Sequence, residues 1–309
     1  MRMIRILPVA LILILPAPAL AQGAGPAPGE TLSESYRGSQ RDNEPYQKIA
    51  PIKVFDNLFY VGPGFVSVWL IPTTDGLILV DSAQEPFVDF VIENIRKAGF
   101  DPKNIKYILL THGHLDHFGG AGKIQQLSGA RVATLEEDWA LMEAAAKAPA
   151  NANRPLGLMP KLRDMVIKEG DTVTLGKTSL KVYKLPGHTA GSPSFTFTVY
   201  DNGKPHKAFI FGGPGQRGGV EGGTEFLNSL ARIQKELGDV EVPVHVHSWL
   251  TTYPYPGGAV FERAARLPQR KPGDPHPLVD NATWRQWLKT AHAGTLKYIE
   301  DAKAGRTVR

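Results

Sequence analysis

One stretch limits what this chain can become. Thr111-His112-Gly113-His114-Leu115-Asp116-His117-Phe118-Gly119-Gly120 puts three imidazoles and one carboxylate into six positions. These are the nitrogen and oxygen donors that zinc takes in catalytic sites. The run before it, Tyr107-Ile108-Leu109-Leu110, is apolar, as a buried strand is. The donors therefore fall where a strand ends and a loop begins, a usual place for a site on an open α/β sheet. In an extended segment His112 and His114 point the same way, because side chains alternate. A turn through Leu115 then aims Asp116 and His117 at a second point, which suits two metal ions and not one. The plainer alternative, a His-rich surface loop, is disfavoured by the combination of strand end, spacing and Gly-Gly exit.

The chain has no cysteine, so a lipoprotein anchor and a disulfide framework are excluded, and any metal must be held by His, Asp or Glu. Its 309 residues, 42% of them hydrophobic, can bury one substantial core, in a two-layer or four-layer single domain. Residues 1–21 read as an export signal: Arg2 and Arg5, the apolar run Ile6 to Leu15, then Ala19-Leu20-Ala21 as the cleavage site. The run is too short, and too broken by Pro8 and Pro16, to stay in a bilayer. A periplasmic or secreted protein is expected, with no membrane contact after cleavage. The formal charge of +5 loses two units with Arg2 and Arg5. The remaining Lys and Arg form no stripe interleaved with aromatics, so no nucleic-acid partner is indicated. No protein partner is indicated either, and a small-molecule substrate is expected.

Residues 22–45 are rich in Gly, Pro, Ser and charge and read as a flexible arm. The domain is placed at 46–309. Its first strands are Ile52–Phe55 and Leu58–Val61, then Phe65–Ile71 and Leu77–Val80 around the turn Thr74-Asp75-Gly76. Pro86 opens a helix that Gly99 closes. Ile105–Leu110 leads into the histidines. A helix Ala121–Leu127, a strand Arg131–Thr134 and a helix from Leu135 to Lys147 follow, and this alternation argues for parallel pairing. Ala148–Lys161, with three prolines, is a long loop that either covers a site or tucks onto its own domain. Then come strands Val166–Lys168, Thr172–Leu175, Ser179–Leu185, Ser194–Tyr200 and Lys207–Phe211. A helix from Thr224 to Leu237, a strand Val242–Val246 and a helix Val260–Arg266 precede the last helix, Ala282 to Ala302. That helix is expected to bury Trp284, Trp287, Leu288, Ala291, Leu296, Tyr298 and Ile299.

The cluster at 112–117, together with Pro186-Gly187-His188-Thr189-Ala190-Gly191-Ser192, resembles the signature of the metallo-β-lactamase superfamily. The resemblance implies an α/β fold, the αββα sandwich, in which two mixed β-sheets pack face to face with helices outside. It also implies that His188 completes a first metal site with His112 and His114. The second site would use Asp116, His117 and a late histidine. His245 and His247 share a face, so spacing alone does not choose between them. His247 lies nearer the strand end and is preferred. His206, His276 and His292 have no partners in sequence and read as surface groups.

Many hydrolases of this superfamily carry a bridging aspartate after a strand ending Phe-x-Gly. Here the text is Phe211-Gly212-Gly213-Pro214-Gly215, without an acid. What remains resembles the cysteine-free subclass of class B β-lactamases with an Asp-His-His second site, and Arg270-Lys271-Pro272-Gly273 resembles that group too. The resemblance implies two Zn2+ ions, a zinc-activated water attacking the β-lactam amide, and Asp116 as a catalytic group as well as a ligand. Asp81, at its own strand end, is a candidate to orient a ligand ring. Alternatives are a hydrolase of the same fold acting on another ester, lactone, thioester or phosphodiester, and a non-catalytic secreted metal- or partner-binding protein. No S-x-x-K or G-x-S-x-G supports a serine nucleophile.

Overall fold

The computed structural model describes residues 25–149, 155–248, 250, 253–255 and 260–306. The export signal expected at 1–21 lies outside the described residues, as do 150–154 of the long loop.

Alternating apolar residues build the first sheet from β1 (Ile52–Phe55), β2 (Leu58–Tyr60), β3 (Trp69–Thr73), β4 (Gly76–Val80), β5 (Ile105–Leu109), β6 (Arg131–Leu135) and β7 (Met165–Ile167), in that spatial order. β1 to β4 pair antiparallel and β4 to β7 parallel. The second sheet has the order β12 (Val242–His245), β11 (Lys204–Phe211), β10 (Pro193–Asp201), β9 (Thr178–Lys184), β8 (Thr172–Leu175). Only its β11–β12 pair is parallel. Both sheets are mixed.

Side-chain alternation divides the interior into three layers. Trp69, Ile71, Ile78 and Val80 face Val182, Phe195, Ala208 and Ile210 between the sheets. The intervening Leu70, Leu77 and Leu79 turn outward and are covered by α3 (Val88–Lys97), α5 (Ala121–Ser128) and α6 (Glu136–Lys147), through Val91, Ile95, Ile124 and Trp139. Phe209 and Phe211 turn to the opposite outer face. There α7 (Gly219–Glu236) and α9 (Asn281–Lys303) cover them with Phe226, Leu230, Trp284 and Trp287. Each fully buried large side chain contributes ~1.5–3 kcal/mol. This is the αββα sandwich expected from the sequence.

Three expectations need correction. Most of the supposed arm is folded: Thr31 and Glu34 form a capping box for α1 (Leu32–Arg37), and α2 (Glu44–Gln47) follows. Tyr36 packs on Tyr46 and Phe261, and the Ser33 amide and hydroxyl both donate to the Glu262 carboxylate, so the segment is anchored to α8 (Val260–Ala264). α7 starts five residues before its apolar periodicity suggests. Glycines lower helix propensity there, yet Gly223 lets the helix approach Tyr298 and Ile299 of α9 too closely for a Cβ. Leu296 is 44% exposed, on the outer side of a helix whose Trp284, Trp287 and Ile299 are buried.

Candidate metal centre

The site residues lie just beyond strand ends, with Asp116 and His117 on the one-turn helix that follows β5. Asp81 follows β4, His112 and His114 follow β5, His188 follows β9 and His247 follows β12. His114 is still extended, with φ −85° and ψ 147°, and it is the cap residue of the one-turn helix α4 (Leu115–Phe118). The backbone change at Leu115 divides the cluster. His112, His114 and His188 make one group, and Asp116, His117 and His247 the other. Within each group one donor atom per residue lies within 4.8 Å of the others. The groups adjoin, with the His112 and His117 rings 3.9 Å apart between centroids.

The ring tautomers are fixed from behind. Nδ1 of His112 donates to the Gly212 carbonyl at 2.8 Å, Nδ1 of His188 to Gly215 O at 2.9 Å, and Nδ1 of His247 to Phe65 O at 3.1 Å. His117 Nδ1 lies 2.7 Å from Asp81 Oδ2. A ring whose Nδ1 carries the proton presents a bare lone pair at Nε2. His112 Nε2 is buried without any hydrogen-bond partner, and the Nε2 atoms of His117 and His247 face each other at 3.3 Å. An uncompensated buried acceptor such as His112 Nε2 is costly. Lone pairs converging from two sets of hard and borderline donors fit divalent zinc.

Charge in the site follows burial and neighbours. Burial holds all three imidazoles down, His112 and His247 well below the ordinary histidine range and His188 at about 3; it is reinforced at His112 by the surrounding imidazoles, at His247 by Arg37 and His117, and at His188 by His114 and Arg217. Burial also disfavours charge on His117, but Asp81 and Asp116 outweigh it and raise that ring. Burial would raise Asp116, yet His117, His247 and Arg37 overcome it and keep the carboxyl ionised. Asp116 Oδ2 lies 3.6 Å from His117 Nε2 and 3.9 Å from His247 Nε2.

Asp81 takes the orienting place expected of it. Its Oδ1 accepts the Thr111 amide at 2.8 Å, and Oδ2 accepts the Thr111 hydroxyl at 2.7 Å beside His117. Its φ of 63° is a conformation few residues other than glycine adopt. A second supporting acid, Asp138, escapes sequence reasoning. From the first turn of α6 it accepts the Gly113 amide at 2.9 Å and the Ser192 amide at 3.0 Å, tying the His112–His114 loop to the His188 loop. The only sequence signal is that Asp138 ends the acidic run Glu136-Glu137-Asp138, which reads equally well as dipole compensation. Burial raises its carboxyl to about 6.

His245 goes elsewhere. β12 ends on it, and its ring packs on Tyr255 and Trp287. The chain then bends, which frees His247 to swing toward Asp116. His206 and His276 are not surface groups: His206 Nδ1 is buried 3.0 Å from Glu241 Oε1, and His276 stacks on Phe55 and bonds Val54 O. His292 is half-buried on α9. Of the long loop, Leu156 and Met159 pack on the α3–α5–α6 core while Pro155 borders a cleft beside Asp116, so its described part both tucks down and edges the site.

A four-layer sandwich with two adjoining ligand groups at its strand ends defines a metal-site protein of the metallohydrolase type. The family model of the metallo-β-lactamase superfamily matches residues 61–201 of this chain. Among solved structures it is similar to the subclass B3 metallo-β-lactamase of Bradyrhizobium japonicum, with 28% identity and a TM-score of 0.69 over 82% of this chain and 95% of that one. A metallo-β-lactamase of Legionella gormanii shares the fold at 23% identity and a TM-score of 0.71, over 83% of this chain and 97% of that one. Among curated sequences, a hydroxyacylglutathione hydrolase of Pseudomonas putida is 36% identical over 88 residues, 28% of this chain. The match spans only 26% of that relative's length.

Proposed function

We propose that this chain is an exported zinc hydrolase that opens the amide of β-lactam antibiotics. The observation that carries the reading is the donor set: three histidines beside an Asp-His-His group, with no cysteine in the chain and no acid in the glycine-rich turn after β11. The similarity to the Bradyrhizobium enzyme over nearly its whole length supports it.

His112, His114 and His188 would hold one ion, and Asp116, His117 and His247 the other. When bound, zinc polarises a carbonyl and lowers the pKa of water toward neutrality. The chain supplies the rest. The carbonyls of Phe65, Gly212 and Gly215, with Asp81, keep the Nε2 lone pairs pointed inward. Asp116, whose carboxyl His117, His247 and Arg37 hold below the ordinary carboxylate range against the effect of burial, can accept a hydrogen bond from an attacking water and so orient it. Phe65, Pro86, Phe87 and Pro155 border the cleft beside Asp116 and present an apolar wall to the substrate.

The second reading is thioester hydrolysis, favoured by the 36% identity to the hydroxyacylglutathione hydrolase. The test is turnover of a chromogenic cephalosporin, a carbapenem and a hydroxyacylglutathione thioester, each with and without chelator. Chelator-sensitive opening of the β-lactams supports the first reading. Turnover of the thioester alone replaces it with the second, and turnover that survives chelation removes both. Export is tested by fractionating cells and sequencing the mature N-terminus, expected at Gln22. Recovery of an unprocessed chain from the cytoplasm would contradict it.

A further inference from the structure

The N-terminal segment brings a cation to the metal centre. Arg37 is the last residue of α1, and its Nη1 donates to the Phe65 carbonyl at 3.4 Å. The same carbonyl accepts Nδ1 of His247 at 3.1 Å. Guanidinium and imidazole thus meet on one oxygen, which puts the Arg37 charge beside the Asp-His-His group. Among the described residues Arg37 has no ion pair with a carboxylate within 4 Å, and the bond to Phe65 is its one hydrogen bond. A guanidinium has five N–H donors. Arg41 borders the cleft of about 680 Å³ that Phe65 and Asp116 also line. Arg41 and Arg217 are both close enough for their charges to bear on Arg37. Asp116 is the acid whose charge favours the Arg37 cation, and in the reading above that carboxylate is a metal ligand.

We infer that Arg37 is a specificity residue that receives a carboxylate of the substrate at the mouth of the metal centre. The inference rests on the hydrolase reading for its reaction but stands on its own as a statement about binding. Planar two-pronged donation to a carboxylate is what a guanidinium with unused N–H groups offers. Burial, which draws Arg37 down to about 10, leaves it charged at neutral pH and strengthens its attraction to an anion. The segment that carries Arg37 is anchored through Ser33, Tyr36 and Gln47. Both substrate classes weighed above carry carboxylates, so the recognised chemistry is shared and the two arms of the test separate the sources.

The test compares metal-loaded full chain with its Arg37→Ala and Arg37→Lys variants. A cephalosporin is assayed as free acid and as carboxyl methyl ester, and the thioester is assayed beside it. Arg37→Ala should raise KM for the acid about tenfold to hundredfold more than for the ester, with kcat less affected, and Arg37→Lys should recover part of the loss. Calorimetric titration of the ring-opened cephalosporin should show the same ratio in Kd. Unfolding midpoints within a few degrees of one another show that the variants fold. Equal effects on acid and ester, or no effect on either, overturn the inference. If the wild type turns over neither the cephalosporin nor the thioester, the hydrolase reading fails by itself. Calorimetry with the intact acids then decides, and affinity independent of Arg37, or no binding, overturns the inference.

Discussion

Asp81 Oδ2 and His117 Nδ1 lie 2.7 Å apart with both side chains buried. That pair joins the end of β4 to the one-turn helix after β5 and decides which face of the imidazole is offered to a metal. Asp81→Asn keeps the size of the side chain but sets a weaker acceptor, or a donor, against Nδ1. We expect a loss of about 10–100-fold in affinity for the metal bound by Asp116, His117 and His247. Titration against a competing chelator measures it, and unchanged affinity would show that the pair only packs.

Asp138 joins the two ligand loops of the other group. Asp138→Asn keeps one acceptor but turns an amide donor toward a backbone N–H, at a cost of ~1–3 kcal/mol. The expected result is a lower unfolding midpoint together with weaker binding at the His112, His114 and His188 group. Loss of stability with metal affinity intact would make the link purely structural.

The metal-free chain should be acid-labile, by a balance that can be signed. His188 and His245 are held at about 3, below the ordinary 6.5, so the folded state binds fewer protons than the unfolded one. Their contribution is present at neutral pH and is lost as pH falls from 6.5 toward 3. Asp138, raised to about 6, acts oppositely: its term favours the fold at low pH and fades as pH rises through 6. Two histidines against one carboxyl give net destabilisation on acidification, on the order of a few kcal/mol. His245→Phe should flatten the acid side of the stability profile, followed by denaturant unfolding between pH 4 and 7. An unchanged slope would mean that His245 takes a proton without opening the core.

Much of this was legible because the chemistry is concentrated. The spacing from His112 to His117 places four donors by strand alternation and a single turn, and alternation in β3, β4 and β11 sorts the core layers. What escaped depends on contacts between distant segments. Thr31-Leu32-Ser33-Glu34 is a readable capping signal, but a six-residue helix is stable only because Tyr36 and Ser33 find Phe261 and Glu262. Asp138 looks like any acid in a first helical turn until the loops above it are seen. His206 and His276 looked exposed because Glu241 and Phe55, which cover them, are far away in sequence.

Asp116→Asn separates ligation from catalysis. The amide can still coordinate weakly, and the side chain is partly exposed. We expect a folded protein that retains metal at the three-histidine group and loses most hydrolysis. Near-normal turnover with metal bound would remove Asp116 from the mechanism.

The most direct test of the whole account is zinc stoichiometry measured alongside β-lactam turnover on one sample, before and after chelation and after zinc is restored. Two zinc ions per chain are expected, with turnover that disappears on their removal and recovers on readdition. A chain that opens β-lactams with no metal bound, or that binds no zinc with all six donors intact, would contradict it.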